Sequence, residues 1–368
     1  MRTVRPFVAA DVAAVTKLYY RILRNKGHAP PQRLHDYMRS FYLDGLFRDA
    51  HIPSLVHTTD DGRISGFVGV HVVPYLLDGK RLRAAFCGAL MVEDHAVDPM
   101  AGARLLKSFL DGPQDLSFSE TANAVSQSMW EKLRGNVLTA YSMEWFRVLR
   151  PSGFSLALAS EKIPFLGGLK PLTRMVDARL ASKAGANSLG IHVNAPAQAG
   201  LATTETDRQT FADQVRQFSE DCAARPDWSG GYLEHVLETA LDKPGFGKPV
   251  MAVVRTKSGE PVGAFLYHVK PGGIGRALQV MAKPKHCGTV LERLFADALA
   301  RGAVGLRGRI SPEILEAAPG RSLGFATVSS TVIHSRNPEF TAPFLAGDCF
   351  LTGLAGERWN HFFGNDFK

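Results

Sequence analysis

The stretch Val92-Glu-Asp-His-Ala-Val-Asp-Pro-Met-Ala-Gly-Ala-Arg-Leu-Leu106 changes period in its middle. Ahead of it, residues 83–92 carry the apolar pattern of a strand. Behind it, Asp98 stands as a helix N-cap and Pro99 at the first helical position, with Leu105, Leu106, Phe109 and Leu110 on one face. A strand that turns straight into a helix aims the helix's unbonded first-turn amides at the strand's end, where an anion can sit.

Toward the N-terminus, 54–59 and 63–73 read as two strands joined by Asp60-Asp61-Gly62, a hairpin signal. Residues 3–8 read as a short strand. Asp11 is expected to cap a helix whose Val12, Val15, Leu18 and Ile22 face the core. A second helical stretch carries Tyr37, Phe41 and Tyr42. Toward the C-terminus follow a strand at 116–119, a helix at 122–133 and extended chain at 137–149.

The second half echoes the first. Val56-His-Thr-Thr-Asp-Asp-Gly-Arg-Ile-Ser-Gly-Phe67 is matched by Val254-Arg-Thr-Lys-Ser-Gly-Glu-Pro-Val-Gly-Ala-Phe265, each a strand, a turn and a strand with an early glycine. Residues 277–282 mirror 90–92, and the helix at 290–300 mirrors the one after Asp98. Such an echo indicates duplication of one unit. The expected fold is α/β (α+β), with domains at 1–150 and 191–368, each a mixed, mostly antiparallel sheet flanked by helices. The linker at 151–190 is rich in Pro and Gly and carries a short basic amphipathic helix at 172–184, with Arg174, Arg179 and Lys183.

Over 368 residues, 45% are hydrophobic and 21% charged, as in folded globular chains. The net charge of +8 and pI near 9.3 favour acidic partners. Cys87, Cys222, Cys287 and Cys349 are far apart, which predicts neither a metal site nor a disulfide framework and suits a reducing, cytoplasmic setting. No run reaches the ~18 apolar residues of a membrane span, so stable membrane insertion is not expected.

The order of elements and the turn resemble the GNAT superfamily of N-acyltransferases, here as a tandem pair. In that family the fourth strand leads into V-x-P-x-x-R/Q-x-x-G-x-G/A, whose amides bind the CoA pyrophosphate. Val92, Gly102, Leu105 and Leu106 keep their places, while Asp94, Val97 and Met100 replace the proline, the basic residue and a glycine. The resemblance implies acetyl-CoA or another acyl-CoA as substrate, held by Met91, Val92, Met100, Ala101, Gly102, Ala103 and Asn123, with no metal. In the second half, Pro284-Lys-His-Cys-Gly-Thr-Val290 takes the same place, with Lys285 and His286 adding positive charge. The first-half turn is preferred by a small margin, because its following segment also matches. There, Asn123 fits the family's CoA-arm contact, but Trp130 stands where the family's thiolate-protonating Tyr would be.

Acyl transfer needs a base, a polarised carbonyl and an acid for the thiolate. Glu93 is the first candidate base and His95 the second, both at the end of the fourth strand. An indole is no useful acid, so that role passes to Tyr141 or water. Glu120 and Asp115 either orient an amine or cap a helix. The function implied is transfer of an acyl group from acyl-CoA to a small-molecule amine. The alternatives are a FemX-like or carrier-protein-dependent transferase meeting an acidic partner (acyl carrier protein or tRNA), and an inactive GNAT-like protein binding a ligand or partner. Neither the acceptor nor the oligomeric state is legible in the sequence.

Overall fold

A computed structural model of the chain describes residues 3–46, 48–93, 98–162, 173, 177, 200–364 and 367. The first half runs β1 (Thr3–Pro6), α1 (Val12–Ile22), α2 (Gln32–Arg39), β2 (Leu55–Thr58), β3 (Ile64–Val68), β4 (Val70–Leu77), β5 (Lys80–Cys87), β6 (Met91–Val92), α3 (Ala101–Leu110), β7 (Leu116–Ala122), α4 (Ala124–Lys132), β8 (Asn136–Val137) and β9 (Met143–Val148). Helix α5 (Pro151–Lys162) leads out of it. The second half runs β10 (Leu201–Glu205), α6 (Arg208–Glu220), β11 (Ala224–Pro226), α7 (Tyr232–Leu241), β12 (Lys248–Thr256), β13 (Pro261–Val269), β14 (Ile274–Ala282), α8 (Cys287–Ala300), β15 (Gly305–Arg309), α9 (Pro312–Ala317), β16 (Gly324–Thr327), β17 (Ser330–His334) and α10 (Ala342–Ala346).

Both hairpins of the echo form. Gly62 and Gly259 take φ of 84° and 89°, the left-handed backbone that glycine adopts without strain. The strand expected at 63–73 is broken at Gly69, and the one expected at 83–92 is broken at 88–90. The two breaks face each other, Gly88 N donating to Gly69 O at 2.8 Å. A sheet β1-β2-β3-β6 therefore parts there from a sheet β11-β4-β5-β7-β17-β8. Residues 65–71 are buried without interruption across the break, so no alternating period marks it.

Val12, Val15 and Leu18 are buried, but Ile22 is 36% exposed. Asp11 does not cap α1. Its Oδ2 accepts from Val8 N at 3.0 Å and from Arg5 at 2.7 Å. Asp98 is not the N-cap of α3 either; the helix begins at Ala101 with Met100 in that place. The strand expected at 116–119 runs on to Ala122 as β7, which places Glu120 within a strand and not at a helix cap; α4 starts at Ala124 with Asn123 as its N-cap. Trp130 is buried against Phe109, where it packs α4 onto α3.

The sheets do not respect the division at residue 150. β9 lies in the second half's sheet, between β15 and β16, and β17 crosses back to pair with β7 and β8. β11 adds to β4. The largest apolar cluster accordingly runs through both halves, from Tyr19, Phe86 and Phe118 to Leu237 and Leu266. Residues 151–162 of the expected linker are helical, and the helix expected at 172–184 lies outside the described residues apart from Thr173 and Asp177. Asp177 accepts from the amides of Ser152 and Gly153, each at 3.0 Å, and so caps α5.

Candidate active site

Each half contains one parallel strand pair that starts together and then separates. β5 and β7 pair at 84–86 with 116–118, and β14 and β15 at 274–277 with 305–308. Beyond those rungs β14 stays paired to β13 as far as Ala282, so one of its edges faces open space. The separation leaves a cavity of about 300 Å³ in the first half and about 650 Å³ in the second. Both lie in the range of small-molecule sites.

The helices that start beside the two clefts differ in charge. At α3, Asp98 stands just ahead of the first turn: its Oδ1 accepts from the amide of the N-cap residue, Met100 N, at 3.3 Å. Arg104 pairs with the same carboxylate, and His57 Nε2 stands 3.5 Å from it. The chain thus supplies its own anion where a phosphate would bind. At α8 no side chain caps the helix, His286 being the N-cap residue. Lys283, Lys285 and Arg321 line the cleft beside this end, and Arg321 Nε donates to Gly288 O at 3.1 Å. A Cβ at Gly288 would displace the Arg321 guanidinium, so the glycine lets that cation lie against the first turn. Cations at the positive end of a helix dipole cost stability unless an anion joins them.

The large cleft is walled by Gln279 on β14, Ser311 and Glu313 at the start of α9, Tyr141, and Asp348 and Cys349 from the segment after α10. The Tyr141 hydroxyl receives Cys349 Sγ at 3.2 Å and donates to Gly347 O at 3.3 Å. Burial holds this phenol well above its ordinary range, so it stays a neutral O–H. Tyr141 therefore serves the second cleft, although it lies in the first half of the sequence.

The other expected residues fall elsewhere. Glu93 is clamped between Arg21 and Arg63, and its amide extends the β3–β6 pairing by donating to Ser65 O at 2.7 Å. It lines neither cleft. His95 lies outside the described residues. Met91 and Val92 form β6, opposite Phe67 and Gly66. Ala101 is fully buried, Gly102 packs on Met129 and Val92, Ala103 is half-buried, and Met100 is 58% exposed. Asn123 lines the first cleft, but its side chain caps α4 by accepting from Ser126 N at 2.9 Å. Asp115 accepts from Arg83 N at 2.8 Å and ties β5 to the start of β7. Among the described residues no group of three His, Cys, Asp or Glu is placed to hold a metal, and no helix is long and apolar enough to cross a membrane.

A buried carboxylate pair joins the halves and was not found from sequence. Glu120 N donates to Glu357 Oε2 at 2.8 Å, and Glu357 N returns the bond to Glu120 Oε2 at 2.9 Å. Burial pushes the Glu357 carboxyl up to about 8. Folded chain then keeps a proton that unfolded chain has lost, so stability falls as pH rises from about 5 to about 8. Glu357→Gln is expected to flatten that fall, by at most about 1.4 kcal/mol per pH unit. Urea unfolding on either side of neutrality measures it, and an unchanged slope would remove Glu357 from the account.

No protein-family model and no curated protein sequence matches the chain. Solved structures do resemble it. A probable N-acyltransferase from Enterococcus faecalis V583 superposes with a TM-score of 0.57 at 9% identity, over 91% of this chain and 73% of that one. A GCN5-related N-acetyltransferase from Anabaena variabilis gives 0.56 at 10% identity, over 92% and 73%. Another, from Kribbella flavida, gives 0.52 at 11% identity, over 91% and 72%. Likeness at this identity concerns the fold, and the chain has a GNAT-superfamily fold.

Proposed function

We propose that this protein is an N-acyltransferase that draws its acyl group from a CoA thioester bound in the second-half cleft and passes it to an amine. One observation carries the reading: Lys283, Lys285 and Arg321 gather at the N-terminus of α8, where no described side chain caps the helix, at a cavity of about 650 Å³ opened by separating parallel strands. Lys283 also pairs with Glu260 and Arg321 with Glu292, so Lys285 is the cation there with no carboxylate partner among the described residues. The first-turn amides of α8 with Lys283 and Lys285 would hold the phosphates. The free edge of β14 suits the amide-bearing arm of such a molecule, which can extend a sheet edge as a peptide does. Gly353 and Leu354 already cover the first part of that edge, Leu354 N donating to Gln279 Oε1 at 3.0 Å. The edge left over lies toward Ala282 and the turn.

Glu313 and Asp348 on the facing wall suit a cationic amine, and Tyr141, whose O–H would have to leave Gly347 O to reach a ligand, lines the same cleft. The similar structures are named as a probable N-acyltransferase and an N-acetyltransferase, which agrees with this reading without supplying an acceptor. The test is thermal unfolding with and without millimolar acetyl-CoA and longer acyl-CoAs, followed by thiol release on adding amines. A higher melting temperature together with amine-dependent thiol release is the expected result. No shift and no thiol from any acyl-CoA would end the proposal.

A further inference from the structure

A second, smaller site lies on the other side of β14. His268, Arg276 and Arg307 stand in one row across β13, β14 and β15, Arg276 being the direct cross-strand partner of both others. Two arginines opposite each other on neighbouring strands repel, a cost that sheets normally avoid. Lys243 and Arg358 lie over the same small cavity, of about 70 Å³. Among the described residues that line it the one carboxylate, Glu144, is paired with Arg358. Lys243 Nζ is directed at the carbonyls of Asn360 and Phe363, at 2.6 Å each, and the Arg276 guanidinium rests 4.5 Å from the Phe246 ring. Among the described residues Arg307 has no hydrogen-bond or ion-pair partner.

From this geometry we infer that the Arg276–Arg307 rung is a binding site for a compact oxyanion, phosphate or the phosphoryl group of a larger ligand. A water needs roughly 10–15 Å³ of such space, so the cavity admits a tetrahedral anion but not a whole nucleotide. Two guanidinium forks can grip one phosphoryl group from two sides, which suits arginine better than lysine. The anion supplies Arg307 with the counter-charge that no described residue gives it. The site stands apart from the α8 N-terminus and does not depend on the function proposed above.

The experiment uses the full chain carrying Lys283→Glu and Lys285→Glu, which removes the other cationic site. Calorimetric titration with inorganic phosphate and, separately, with glycerol 3-phosphate is expected to show binding. Adding Arg307→Gln should weaken it at least tenfold. Binding of both ligands, or of glycerol 3-phosphate alone, identifies the phosphoryl group of a larger molecule; binding of inorganic phosphate alone identifies the free anion. In the absence of either, Arg307→Gln should melt no lower than its parent, because it relieves repulsion. No titration heat for either ligand, or equal affinity with and without Arg307, overturns the inference. Should the glutamine variant fail to fold, Arg307→Lys keeps the charge, and unchanged phosphate affinity in it would equally refute the two-fork grip.

Discussion

Arg309→Met should destabilise the protein by about 3–5 kcal/mol, the usual cost of leaving one member of a buried charge network alone. Arg309 sits on β15 of the second half with its side chain 3% exposed. It donates to Glu120 O at 3.1 Å and Thr331 Oγ1 at 2.8 Å through one nitrogen, and to Ser329 O at 3.2 Å through another. Its Nε lies 3.5 Å from Glu120 Oε1. These partners lie on β7, on β17 and in the turn just before it, so a single guanidinium ties the second sheet to the first where the strands exchange. Burial pulls the guanidinium down to about 10, still charged at neutral pH. Methionine matches the length of the stem but takes the more buried of two cations from the Glu120 carboxylate, leaving Arg358 Nε at 3.6 Å, and one of two donors from its carbonyl, leaving Ser329 Oγ at 3.1 Å. Pairing Arg309→Met with Glu120→Gln should recover part of the loss, since the stranded charge is gone. Urea denaturation measures both, and a cost below about 1 kcal/mol for the single variant would mean that the exchange is held by apolar packing alone.

The second large effect concerns binding. Lys283→Glu with Lys285→Glu is expected to weaken acyl-CoA binding roughly 100-fold, about 2.7 kcal/mol. Each reversal replaces an attraction to phosphate by a repulsion, worth about 1 kcal/mol or more at contact even in high dielectric. The fold should barely notice. Among the described residues Lys283 pairs with Glu260 alone, both exposed, and exposed pairs contribute at most about 1 kcal/mol. Reversing Arg104 in the first half should leave acyl-CoA affinity unchanged, because Arg104 is engaged with Asp98. Loss of affinity on Arg104→Glu, with none on the lysine reversals, would move the cofactor to the first cleft.

Much of the architecture could be read from the residues because it is local. Gly62 and Gly259 mark turns that need left-handed backbone, and Leu105, Leu106 and Phe109 mark the buried face of α3. The match between 56–67 and 254–265 needed only the chain itself. The candidate site was legible in part. Lys285 and His286 were visible as charge near a turn, and Tyr141 as a spare phenol, but nothing in their spacing put them at the same cleft. The caps at Asp11 and Asp98 were misread for a related reason. A carboxylate at the right offset signals an N-cap only when no nearby arginine competes for it, and Arg5 and Arg104 do.

What lay within the reach of sequence was thus the repeated unit: its hairpins, its strand-to-helix turns and its apolar faces, all set by contacts a few residues apart. Two matters needed the assembled chain: the trade of β9 for β17 and the Glu120–Glu357–Arg309 junction. In both, the deciding partners lie far apart in sequence, Arg309 being 189 residues from Glu120. A strand carries no mark of the sheet it will join, because its backbone donors and acceptors are the same in either. The choice falls to burial and charge pairing that exist only once both halves are packed together.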